Sequence, residues 1–242
     1  EHTPGLDAHV LTSLLEDPEY ESYFAAAGAA APHFGSPAVE RLWRPEGLFR
    51  RKRVQELSHF RVLKGAAGLS VHSLTHVVEF GGGTGETAAT ARDLGFAGRH
   101  VIVDLPPMLL LQRYWLRYSG LPAYLAEDSD FATFPTRPSI LLESSVSSSD
   151  LSRFLRREPS TSSSSTPSRS LFFGLWSLTE AGLGARARVW PTILASDYIL
   201  IAFGNGFDGI DNAQHLQQEA EARGLQESHN ILCWNLAHSP GH

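Results

Sequence analysis

Residues 75–107 read Thr75-His-Val-Val-Glu79-Phe80, Gly81-Gly-Gly-Thr-Gly85, Glu86-Thr-Ala-Ala-Thr-Ala-Arg-Asp-Leu94, Gly95-Phe-Ala-Gly-Arg99, His100-Val-Ile-Val-Asp104, Leu105-Pro-Pro107. The first block is a short apolar run with β-branched valines, which predicts a buried strand ending on Glu79. The alanine-rich block from Glu86 to Leu94 predicts a helix closed by Gly95. His100–Val103 predicts a second strand, ending on Asp104. Strand, glycine turn, helix and strand, with an acid at each strand tip, is the first half of a nucleotide-type α/β site.

The two acids constrain the ligand. Asp104 stands about twenty residues beyond the turn, where an acid accepts hydrogen bonds from ribose hydroxyls. Glu79, beneath the turn, places a negative charge where a pyrophosphate would be repelled, and suits a ligand carrying an ammonium and a sulfonium. A Walker-type phosphate loop needs Lys where this chain has Glu86 and is excluded. Gly83-Thr84-Gly85-Glu86-Thr87-Ala88 also fits G-x-G-x-x-A, which keeps an NAD(P)-dependent oxidoreductase as an alternative. Glu79-Phe80-Gly81-Gly82-Gly83-Thr84-Gly85 resembles, at every position, the acid-x-G-x-G-x-G loop of class I S-adenosylmethionine-dependent methyltransferases.

Outward from this stretch, the chain of 242 residues accommodates one large domain with an appendage. A hydrophobic fraction of 42% is ordinary for a globular protein, and a net charge of -6 supplies no footprint for nucleic acid. Arg50-Arg51-Lys52-Arg53 reads as a solvated helix face. Cys233 is the only cysteine, which excludes an internal disulfide and a cysteine metal cluster. His72 and His76 lack an evident third ligand, and the reading is metal-independent. No apolar run reaches the roughly 18 residues a membrane helix requires, and no signal peptide is visible. A cytoplasmic location is the default expectation. The only methionine is Met108, so Glu1 is not expected to be the natural start.

Residues 1–70 read as a helical segment: Leu6–Leu15, Glu19–Ala31 and an amphipathic helix over Leu48–Leu63. Residues 71–242 read as a Rossmann-like domain, with a mainly parallel sheet and helices on both faces. After Asp104 a helix is expected from Met108 to Tyr118. The third strand has two candidates, Leu121–Ala126 and Ser139–Glu143. Asp128, in the acidic tip Glu127-Asp128-Ser129-Asp130, is a candidate for the adenine amino group or an ordinary solvated acid. Residues 144–170 are serine-dominated and predict a flexible insertion. Beyond it come a strand at Leu171–Trp176, a helix to about Ala195 and a strand at Asp197–Phe203. A glycine-rich polar loop over Gly204–Asn212, a helix at Ala213–Arg223 and a last strand at His229–Asn235 follow. Every polar loop named falls at the carboxyl edge of the sheet, where ligands bind.

With these residues in place, the chain resembles the sugar O-methyltransferase family of bacterial surface-polysaccharide clusters. The stretches that carry the resemblance are Val78–Gly85, Ile102–Pro107 with Gln112-Arg113-Tyr114, Trp176-Ser177-Leu178-Thr179-Glu180, and Gly209-Ile210-Asp211-Asn212 with His238-Ser239-Pro240-Gly241-His242. They span roughly residues 55–242. The serine-rich insertion and Ala237, where an acid is usual, depart from the family. Glu1-His2-Thr3-Pro4-Gly5 resembles the family's closing motif placed at the start.

The resemblance implies methyl transfer from S-adenosylmethionine to a hydroxyl of a sugar or glycan. It implies cofactor contacts from Glu79, Gly81, Gly82, Gly83, Thr84, Gly85, Asp104 and Leu105. An alcohol needs a general base within hydrogen-bond reach. His238 is the first candidate because its ordinary pKa lies near neutrality, with Glu180, Asp208 and Asp211 as the others. Two of them have a plainer reading: His238 capping the last strand, and Asp211-Asn212 capping a helix. Tyr114, Tyr118 and Trp176 offer ring faces for a sugar, although Trp176 suits core packing better. A methyltransferase-like module without activity is a third reading.

Overall fold

The computed structural model describes residues 48–126, 140–143, 151 and 169–231. The expected helices at Leu6–Leu15 and Glu19–Ala31, nearly all of the serine-rich insertion, and residues 232–242 lie outside the described residues.

Helix α1 (Leu48–Ala67) leads into a 3-10 turn at Val71–Ser73 and strand β1 (His76–Phe80). The glycine turn feeds α2 (Glu86–Asp93), β2 (Arg99–Val103), α3 (Pro106–Tyr118), β3 (Ala123–Leu125) and β4 (Ile140–Glu143). The second half contains β5 (Ser170–Leu175), α4 (Leu183–Leu194), β6 (Tyr198–Ala202), β7 (Gly206–Phe207), β8 (Ile210–Asp211), α5 (Asn212–Ala222) and α6 (Leu225–Ser228).

Six strands form one sheet in the order β3-β4-β2-β1-β5-β6, and each pair is parallel. The alternation of side chains along each strand sorts the apolar residues into two faces. Val77 on β1, with Leu171 and Phe173 on β5, packs against Leu57, Phe60 and Leu63 of α1 and Ala91 of α2. Phe60 meets Phe173 edge-on, with centroids 5.3 Å apart. On the same side Ile102 joins Ala88, Leu109 and Leu116 of α2 and α3. The opposite side collects Val78, Val101 and Phe172 with Val189, Trp190 and Ile193 of α4 and Ala220 of α5. The result is a Rossmann-like α/β fold, with helices on both faces of a parallel sheet.

Both third-strand candidates are strands. Ile140–Glu143 takes the place beside β2, and Ala123–Leu125 lies at the outer edge. His229, Asn230 and Ile231 are not in a strand, contrary to expectation. Gly224 adopts φ 65° and turns the chain into the short helix α6 just before them.

The winding reverses at β1. From β1 the chain moves outward through β2, then returns to place β5 on the other side. Ligands of open parallel sheets bind beyond the strand ends at such a reversal.

Candidate functional site

Glu79 is buried near the end of β1, and His100 Nε2 lies 3.0 Å from its Oε2. A carboxylate only accepts, so the Nε2–H of a neutral imidazole donates. Burial holds His100 below the ordinary histidine pKa, against the opposing pull of Glu79. His100 Nδ1 has no hydrogen-bond partner among the described residues.

The turn after β1 begins as a continuation of the ladder, with Gly81 N donating to Val103 O at 2.7 Å. Gly81 has φ 74°, which an L side chain rarely adopts, and a Cβ there would collide with the Ser177 side chain. A Cβ on Gly82 would lie 2.5 Å from Ile102 Cγ2. The protein's own packing therefore demands glycine at both positions. Ser177 Oγ donates to Gly81 O at 2.9 Å, lacing the loop after β5 to the loop after β1 at the reversal of winding. Gly83 and Thr84 are half-buried, and Gly85 (φ 87°) is buried at the N-cap of α2.

Asp104 follows β2. Leu105 N donates to its Oδ1 at 2.8 Å, and Gln112 Nε2 donates to its Oδ2 at 2.7 Å. Burial raises the Asp104 pKa, opposed by the bonds from Leu105 and Gln112, and the charge of Glu79 raises it further. Asp104 is thus joined through Gln112 to Gly83, while the Glu79 carboxyl lies under Gly82, so both acids adjoin the same glycine turn. Leu105 is 69% exposed beside them.

The other predicted residues are distributed differently. Glu180 is exposed in the turn after β5, its N–H bonded to Trp176 O at 3.0 Å. Asp208 (φ 51°) and Gly209 (φ 75°) form the two-residue turn of the β7–β8 hairpin. Asp211 caps α5, accepting from Gln214 N at 3.0 Å. Asp208 and Asp211 thus each hold a local backbone job. Tyr114 and Tyr118 are exposed and stacked, centroids 6.1 Å apart, along an open groove of about 410 Å³ lined by Leu110, Arg113 and Arg117 as well. Neither Glu79, Asp104 nor a residue of the glycine turn lines that groove. Trp176 packs against the core cluster of α1, with φ 61° at the end of β5. Asp128 and His238 lie outside the described residues.

Two residues were given no role at the sequence level, although Gln112 stands in a stretch that carries the resemblance. Gln112 is fully buried on α3, and its amide also donates to Gly83 O at 3.0 Å. Arg186 is 1% exposed on α4 and donates to Thr179 O, to Ala181 O (2.9 Å) and to Asn212 Oδ1 (3.0 Å). Asn212 Nδ2 donates in turn to Gly204 O at 3.0 Å, so one guanidinium ties the loop after β5 to the loop after β6. The signal for Arg186 was its spacing, three and four residues before Val189 and Trp190 on one helical face. The signal for the hairpin was Asp-Gly between apolar residues.

Comparison with solved structures adds the following. The mitomycin 7-O-methyltransferase MmcR is 12% identical, at a TM-score of 0.33, over 80% of this chain. A Thermobifida fusca YX protein described as a methyltransferase is 17% identical, at a TM-score of 0.32, over 92% of this chain and 74% of its own. Both of these structures are described as methyltransferases. The chain spans about half (53%) of the length of MmcR. No protein-family model and no curated protein sequence matches the chain. Among the described residues there is no cluster of histidines, cysteines and acids that could hold a metal ion, and no helix long and apolar enough to cross a membrane.

Proposed function

We propose that the chain is an S-adenosylmethionine-dependent O-methyltransferase that modifies a hydroxyl of a sugar or glycan. The observation that carries the reading is the pair Glu79 and Asp104, two carboxylates flanking a glycine turn at the reversal of winding. Such a charge pattern opposes a pyrophosphate and favours a cationic nucleoside, which sets the nicotinamide alternative aside. The residues fit the cofactor: Asp104 offers carboxylate oxygens to a ribose diol, and Glu79 adds negative charge near the ammonium and sulfonium. Gly81, Gly82, Gly83, Thr84, Gly85 and Leu105 complete the surround, with Asp128 for the adenine amino group. S-adenosylmethionine supplies an electrophilic methyl group when bound.

The chain's own work is positioning, because displacement at that methyl requires an aligned acceptor oxygen, and removal of the hydroxyl proton. His238 is proposed as the base. Glu180, Asp208 and Asp211 stand at the same carboxyl edge; Asp208 and Asp211 would have to combine the role with a turn and a cap. The carbohydrate assignment rests on the resemblance, with Tyr114 and Tyr118 as exposed ring faces. Incubation with labelled methyl donor and a panel of oligosaccharides, read by mass spectrometry, tests it. A methylated sugar supports the reading. Transfer to non-carbohydrate hydroxyls alone overturns the sugar assignment.

A further inference from the structure

The geometry points to Gln112 as the residue that positions Asp104 for a ribose diol, by joining the acid after β2 to the glycine turn after β1 through one amide. This rests on the methyltransferase reading of the same crevice. Gln112 is fully buried, so it does not offer a surface to ligand. Its Nε2 carries two hydrogens and uses both, toward Gly83 O at 3.0 Å and Asp104 Oδ2 at 2.7 Å. The donors fix the amide orientation, since the flipped form would set Oε1 against two acceptors.

The arrangement leaves Gln112 Oε1 without a partner among the described residues. A buried orphan acceptor is costly, so the orientation is maintained against that cost. Leu105 N holds the other oxygen of Asp104, and Gly83 adds a backbone bond. With both oxygens directed by protein donors, their remaining lone pairs have a defined direction. Among the described residues, Glu79 is the charge that bears on Asp104. Gln112, supplying a donor without charge, steadies Asp104 without neutralising the crevice. An arginine or lysine there would cancel the negative charge that a cationic ligand requires.

Titration calorimetry of the whole chain with S-adenosylhomocysteine and its 2′-deoxyribose analogue tests this role. Wild type is expected to bind the ribose form more tightly. Gln112→Leu is expected to weaken the ribose form by about tenfold or more while the deoxy form changes little, so that discrimination is lost. Gln112→Glu is a second variant, should the leucine variant fail to fold. Its loss of affinity relative to wild type is expected to shrink as pH falls and the new carboxyl gains a proton to donate. Equal weakening of both ligands, or unchanged affinity in a folded variant, would overturn the positioning role while the methyltransferase reading stands. Absence of wild-type binding to S-adenosylhomocysteine would overturn both.

Discussion

His100 and Glu79 meet across neighbouring strands, Nε2 to Oε2 at 3.0 Å, with 0% and 2% of their side chains exposed. The acid under the glycine turn is therefore tethered from below by a buried imidazole. Removing the donor strands a buried carboxylate. His100→Leu is expected to destabilise the fold by about 1–3 kcal/mol, read from urea denaturation. A change within experimental error would show that Glu79 does not depend on this bond.

Acid sensitivity follows from two histidines on the same strands. Burial, then the Arg99 charge, lowers the His76 pKa from 6.5 to about 4, opposed by Asp197. Arg99 Nη2 donates to His76 Nε2 at 2.7 Å, a bond that needs the unprotonated ring. A depressed folded-state pKa makes the unfolded chain the stronger proton binder, so stability rises with pH. The contribution is complete above about 6.5 and is lost as pH falls through about 4. His100, also shifted down, acts in the same direction, whereas Asp104, shifted up, acts against it. His76→Gln is expected to flatten the dependence of the urea midpoint on pH in that window. An identical slope in the variant would contradict this assignment.

Gly81 and Ser177 exclude each other's bulk at the reversal of winding. Gly81→Ala is expected to cost about 2 kcal/mol or more, from the collision and the left-handed φ together. Ser177→Gly in the same chain is expected to recover only the collision. Full recovery would show that backbone conformation contributes nothing.

Arg186 gathers three acceptors, two in the loop after β5 and one at the start of α5. Arg186→Met is expected to destabilise by about 3 kcal/mol or more, because it orphans all three. Asn212→Ala should cost less, and the double variant less than the sum, since the residues share a bond. Strict additivity would contradict a shared network.

The strand, glycine turn, helix and strand that carry Glu79 and Asp104 were legible in the sequence because they depend on local backbone chemistry. Glu79, the glycine turn and Asp104 lie within one short βαβ segment, where spacing alone sets proximity. The order β3-β4-β2 was not legible, since the Leu121–Ala126 and Ser139–Glu143 runs are equally apolar and only long-range pairing ranks them. Gln112 and Arg186 were obscured differently. Each is a polar residue on a buried helical face, and its partners are backbone carbonyls or side-chain oxygens from other segments. The Asp208-Gly209 turn was readable and went unread, because the surrounding glycines suggested a loop.

The cofactor claim concentrates on Glu79 and Asp104, and S-adenosylhomocysteine binding measured by calorimetry on wild type, Glu79→Ala and Asp104→Ala tests it most directly. The account predicts that wild type binds and that each substitution weakens binding by about tenfold or more, with NAD failing to bind. Unchanged affinity in both variants, or binding of NAD in place of the sulfur nucleoside, would contradict it.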